Sequence, residues 1–217
     1  MRLLAPTHAF LKWPTSTFPD HVQMLLVEPL PEDLANGLPR PFGTVSFRGV
    51  LWDLSHLSPF AFSVQIAEHC DVSVLVLFSC HCFTKSFRWD ARPIASIPTQ
   101  EIYTDGRERR VLCPERYALS RKILRKIVLS LGARRITLAD DRRPNFVTHE
   151  HVDALGRKAL YAVFFEVERD RRRKRLILRV QSAYVLEGGL TRRQREAKKI
   201  ALITLLRNIH KGSPIRA

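Results

Sequence analysis

The densest group of reactive side chains in the 217-residue chain is F-S-C-H-C-F-T, Phe78 to Thr84, where His81 sits between Cys80 and Cys82. An imidazole changes charge near neutral pH and serves as general acid or base. His69 and Cys70 come one predicted strand earlier, and Cys113 comes later. Zinc is a second use for such residues, but adjacent residues on a strand point to opposite faces and no C-x-x-C knuckle is present. A buried strand end, with thiols as small apolar groups and a hydrogen-bonded imidazole, is the third. On this reading no metal ligand and no cofactor are assigned.

Two further groups could act on phosphate. R-E-R-R and E-R-Y-A-L-S, residues 107–110 and 115–120, place Arg116 and Ser120 four apart on one helical face. They lie near a helix N-terminus, where backbone N–H groups favour an anion, and Arg109 and Arg110 arrive from the preceding segment. A phosphate cradle and a solvated basic helix fit this pattern equally. The other group is Glu166, Glu168, Arg179 and Gln181, on one face of a predicted hairpin, where cross-strand ion pairs are the ordinary use. As chemistry, a carboxylate, a guanidinium and an imidazole suffice for metal-free RNA cleavage. The base takes the 2′-OH proton, the acid protonates the leaving 5′-oxygen, and arginines stabilise the phosphorane charge. Metal-dependent cleavage would want converging acids with a Lys, which Glu166-Val167-Glu168 lacks at the expected offset.

The elements that must position these groups are partly legible. Residues 1–41 hold seven prolines and read as a loop-rich arm with one strand or helical turn. Residues 42–52, 60–67 and 71–79 are rich in β-branched and aromatic types and read as three antiparallel strands. Pro114 and Glu115 open a helix expected to end near Gly132, with 117, 124, 127, 128 and 131 facing a core. Residues 134–138 read as a short strand, 139–158 as loop. The clearest hairpin is 161–168 with 174–185. Tyr161, Val163, Phe165 and Val167 line one face, against Leu176, Leu178, Val180, Ser182 and Tyr184. Thr191 and Gln194 form a capping box for a last helix stopped by Gly212 and Pro214. The expected fold is therefore α+β: an antiparallel sheet packed against two main helices, with arm 1–41 and a single domain 42–217.

Charge separates the chain into unlike halves. Residues 107–217 carry 29 Lys and Arg against 11 Asp and Glu, while residues 1–106 carry 7 against 10. A one-sided field of this kind suits a polyanion. The contacts expected are Arg110, Arg121, Lys122 and Arg125, then Arg171, Arg172, Arg173, Lys174, Arg175 and Arg179. Arg192, Arg193, Arg195, Lys198 and Lys199 complete them, crowding a helix start whose dipole they oppose. The apolar share of 45% and charged share of 26% are those of a globular chain, which excludes global disorder. No run of eighteen apolar residues could span a bilayer, and Pro6, Lys12 and Pro14 break the first apolar stretch, so it reads as structure rather than signal peptide. Four scattered cysteines suit a reducing cytoplasm.

The strings F-S-C-H-C-F-T and F-F-E-V-E, with L-I-L-R-V-Q-S-A-Y, resemble those of bacterial proteins found with phages and plasmids. The hairpin ending in S-A-Y also resembles the last strands of the barnase–EndoU–colicin–RelE group of ribonuclease toxins, over residues 78–185. That resemblance implies a small antiparallel sheet whose open face cuts RNA without metal, with His81, Arg109, Arg116 and Glu166 as the catalytic positions. The expectation is a cytoplasmic nucleic-acid-binding protein, RNA before DNA, with metal-independent endoribonuclease activity. Its alternatives are a non-enzymatic DNA- or RNA-binding regulator, and an adaptor or inhibitor of a mobile genetic element that docks on an acidic protein or antitoxin.

Overall fold

The computed structural model describes residues 24–35, 42–138, 145–152 and 156–213. Most of the Pro-rich arm lies outside them. Its described part holds β1 (Val27–Glu28) and α1 (Glu32–Ala35). Then follow β2 (Ser46–Phe47), β3 (Val50–Leu51), β4 (Phe60–Ala67), β5 (Cys70–Phe78), β6 (Thr84–Lys85), β7 (Ile102–Thr104) and β8 (Arg109–Leu112). One continuous helical rod comprises α2 (Pro114–Leu119), a wider π-type turn (Ser120–Leu124) and α3 (Arg125–Leu129). The chain closes with β9 (Arg135–Thr137), β10 (Asn145–Val152), β11 (Lys158–Asp170), β12 (Arg175–Leu186), α4 (Arg192–Glu196), β13 (Lys199–Ala201) and α5 (Leu202–Lys211).

Eight strands make the main sheet in the order β1-β4-β5-β12-β11-β10-β9-β13. Neighbours are antiparallel except β12 and β5, which run parallel from Leu176 opposite Val74 to Val180 opposite Phe78. One face carries the core. Val72, Val74, Val76, Tyr161, Val163, Phe165, Leu176, Leu178 and Val180 meet Leu124, Ile127 and Val128 of the rod and Leu202, Leu205 and Leu206 of α5. From the β13 edge α5 runs back to β4, where Arg207 Nε donates to the Ile66 carbonyl at 2.6 Å.

Four departures from the sequence pattern are found, and the first three have clear causes. In β12 the pairing slips: Phe164 faces Ser182 but Phe165 faces Val180, so Gln181 is an extra residue. Such a bulge reverses the alternation beyond it. Ser182 and Tyr184 therefore leave the core face, and Tyr184 stacks on Phe164 at 5.2 Å in a second small cluster with Phe146, Ala162 and Leu190. Second, residues 145–152 are a strand rather than loop; Phe146 and Val147 are buried and alternate against β11, although charged residues interrupt the pattern. Third, the last helix is two. The capping box at Thr191 forms, yet α4 ends at Glu196 and β13 intervenes, pairing Lys199 with Thr137. Backbone pairing to the open edge of β9 outweighs continued helix. The first predicted strand is likewise a small hairpin, β2–β3, separate from the main sheet.

Candidate functional site

β5 ends where Ser79 leaves the sheet beside the bulge. Its N–H bonds the Val180 carbonyl at 3.0 Å, and its hydroxyl donates to the Gln181 carbonyl at 2.5 Å. The same hydroxyl accepts the His81 N–H at 3.2 Å, starting a tight 3₁₀ turn over Cys80–Cys82. Successive residues in such a turn are rotated by a third of a circle, not a half. Cys82 goes fully into the core, while Cys80 and His81 both reach the four-residue turn between β7 and β8.

That turn is built by Asp105 and by Gly106 at φ +85°. One oxygen of Asp105, Oδ1, accepts the N–H groups of Arg107 and Glu108 at 2.9 and 3.0 Å. Glu108 Oε1 then meets His81 Nε2 at 2.5 Å, and Oε2 accepts from Arg110 at 3.1 Å. The Cys80 thiol lies 3.8 Å from Glu108 Oε1 and 3.9 Å from Asp105 Oδ2. Behind the turn, Arg116 donates to the His81 and Thr84 carbonyls at 3.2 and 2.8 Å and lies over the Tyr184 ring at 4.6 Å. The bulge is what brings Tyr184 to this position.

Electrostatics follow from burial. Desolvation pushes the Cys80 thiol up to about 12, and Glu108 and Asp105 add to it. It is therefore a neutral thiol and a poor nucleophile. Cys82 is likewise raised to about 12 by burial. Burial raises Glu108, but hydrogen bonds from His81 and Arg110 outweigh it and hold the carboxyl below its ordinary range. The His81 and Glu108 side chains remain 32% and 40% exposed, so water reaches the pair.

Of the four expected catalytic positions, the fold brings His81 and Arg116 together. Arg109 pairs with Thr104 and is exposed, whereas its neighbour Arg110 is turned inward to Glu108. Glu166 accepts from Gln181 Nε2 at 3.1 Å and is linked to the His81 turn through Gln181 and Ser79. Glu108 and Asp105 escaped the sequence reading; the Asp-Gly pair between two short β-rich runs was the signal for their turn.

The expected cation set divides by role. Arg110 is buried between Glu108 and Thr84, and Arg175 is buried against Asp170. Arg125 lies over Phe60 at 4.3 Å, Arg179 pairs with Glu168 and Arg192 with Glu196. Arg195 donates to the Leu190 carbonyl. Lys122 is half-buried, while Arg121, Arg193, Lys198 and Lys199 are exposed. Arg171, Arg172, Arg173 and Lys174 form the exposed tip of the β11–β12 hairpin.

Ser120, expected beside Arg116 in a phosphate cradle, is instead fully buried at the π-type turn. Its hydroxyl donates to the Tyr117 carbonyl at 3.0 Å, which leaves His56 Nε2 as the donor in their 2.8 Å contact. His56 Nδ1 is buried with no hydrogen-bond partner among the described residues. Burial lowers the His56 pKa from 6.5 to about 4. The unfolded chain therefore takes up this proton first, and stability falls as pH drops from about 6.5 through about 4. Thermal melts across that window should show a falling Tm, and His56→Gln should flatten the slope; equal slopes in both proteins would rule His56 out as the source.

A mostly antiparallel sheet with the helical rod and α5 on its core face, and a Cys–His–carboxylate centre where β5 leaves β12, define an α+β domain with a solvent-reached polar site. The chain belongs to the YjaZ family, whose sequence profile matches residues 44–210. Protein YjaZ of Escherichia coli (strain K12) is 28% identical over 175 residues, which is 78% of this chain and 89% of that protein. No solved structure matches the chain. Among the described residues no helix is long and apolar enough to cross a membrane.

Proposed function

We propose that this protein binds nucleic acid through the tip of the β11–β12 hairpin. The observation that carries the reading is the run Arg171, Arg172, Arg173 and Lys174, all exposed. The neighbouring acid, Asp170, has a side chain only 12% exposed and is held by Arg175 at 3.2 Å and Arg173 at 3.8 Å. Asn145 of β10 pairs with Phe165, so residues 166–170 carry the tip past β10 by roughly 17 Å. Lys198 and Lys199 lie toward the same end, because Lys199 pairs with Thr137 and Thr137 with Phe146. Guanidiniums on an exposed turn, flanked on one side by β5, suit phosphate following more than base reading. RNA is the first ligand to test, with duplex DNA beside it.

Binding without cutting is better supported than the endoribonuclease. Cleavage would need His81, its acid partner and phosphate-holding cations in one place. Arg109 is exposed on β8 and Glu166 is bonded to Gln181, while the His81 ring meets the Glu108 carboxylate, which repels a phosphate. Gel retardation of labelled RNA in EDTA and in magnesium tests both readings. The expected result is intact, retarded RNA whose affinity falls with salt, with a log–log slope near −0.7 per phosphate on a single strand. An affinity flat in salt would remove the proposal, and fragments in EDTA that vanish in His81→Ala would restore the nuclease.

A further inference from the structure

The sequence argued against metal because adjacent strand residues point apart, and the 3₁₀ turn at Cys80–Cys82 removes that objection. We propose that Cys80, His81 and Glu108 bind a transition-metal ion of the zinc class, with Asp105 supporting the site from beside the thiol. The ligand atoms of Cys80, His81 and Glu108 all lie within 4.8 Å of one another. Asp105 Oδ2 stands 3.9 Å from the thiol on the same turn as Glu108. Bonds of 2.0 to 2.3 Å in a tetrahedron set donor–donor edges of roughly 3.3 to 3.7 Å. The Cys80–Glu108 distance of 3.8 Å needs only slight contraction, and the His81–Glu108 contact must open.

The donor chemistry selects the ion. A sulfur, an imidazole nitrogen and carboxylate oxygens suit zinc or cobalt and not magnesium or calcium, which take oxygen alone. The outer shell is already in place. Arg110, itself held by Thr84 Oγ1 at 2.8 Å, occupies the far oxygen of Glu108. The far oxygen of Asp105 is taken by two backbone N–H groups. Each carboxylate thus turns its remaining oxygen inward, the arrangement by which supporting contacts orient metal ligands. The partial exposure of His81 and Glu108 admits the ion from solvent. Ligation would join the end of β5 to the β7–β8 turn. The site borders β12 at Val180 and Gln181, away from the cationic tip, so it stands or falls independently of nucleic-acid binding.

The test uses the full-length chain, stripped with chelator and titrated with Co(II) and then Zn(II). The expected result is about one equivalent of cobalt, with a thiolate-to-cobalt charge-transfer band in the near ultraviolet that zinc abolishes. Cys80→Ser should lose the band, His81→Gln and Asp105→Asn should weaken binding at least about tenfold, and Cys70→Ser should bind as the parent does. His81 and Asp105 are solvent-reached, so those variants decide the matter even if Cys80→Ser fails to fold by circular dichroism. A folded parent with no cobalt band, a band that survives in Cys80→Ser, or unchanged affinity in His81→Gln overturns the proposal.

Discussion

Replacing Arg171, Arg172 and Lys174 together by Glu is expected to weaken RNA binding on the order of a hundredfold near physiological salt, and to leave Tm almost unchanged. Each of the three is exposed at the hairpin tip, and none is paired with an acidic side chain among the described residues. Their removal therefore strips no ion pair from the fold. Three cations become three anions, so attraction to phosphate is replaced by repulsion, and the salt slope should shrink by about 2 as three counterion-release contacts go. Arg173 and Arg175 are left out because both engage Asp170, and Arg175 is buried. Filter binding over a salt series, with melting curves of both proteins, is the measurement. If the triple variant binds like the parent, the tip is not the contact surface.

The largest expected loss of stability is at Phe165. Its ring is fully buried on the core face, opposite Val180 and next to the bulge. Phe165→Ala leaves a cavity between the sheet and its helices and should cost about 3–5 kcal/mol. Set against a total of roughly 5–15 kcal/mol for a domain, that is a severe destabilisation. At about 2–4 °C per kcal/mol for a chain of this length, Tm should fall by about 10 °C. The adjacent Phe164 points to the opposite face, where among the described residues it meets a small cluster of Phe146, Ala162, Tyr184, Leu186 and Leu190. Phe164→Ala should therefore cost about half as much, since the surrounding side chains can close over the gap. Equal losses at the two positions in urea or thermal unfolding would contradict the division into a main core and a minor face.

The opposition between these neighbours shows how far patterning could be read. The alternation Tyr161, Val163, Phe165 is plain in the sequence and holds in the structure, because β11 is regular along its whole core face. The same reading of β12 holds through Val180 and then inverts, since one unpaired residue at Gln181 changes the parity. Nothing local marks Gln181 as that residue. The bulge sits where β5 departs and Ser79 takes over the backbone partners of β12, an arrangement between segments a hundred residues apart. The helix at Pro114 was legible from its first residue, as proline and an acidic second residue suit a helix start. The break after Glu196 was not: the residues that follow form helix well enough, but the free edge of β9 offers them a strand.

The candidate centre divides along the same line. His81 and its cysteines stood out because reactive side chains that close together are conspicuous at any spacing, and the cationic half was visible because charge adds along the chain regardless of fold. Local chemistry also marked the β11–β12 hairpin and the capped turn at Thr191. Which of those cations stay in water, and which are spent on Glu108, Asp170 or Phe60, depends on partners distant in sequence. So does the convergence of Asp105 and Glu108 on Cys80 and His81 across 25 to 28 residues. Periodicity and composition act over a few residues and are written in order; a contact between separate turns exists only once the sheet has closed and fixed their distance.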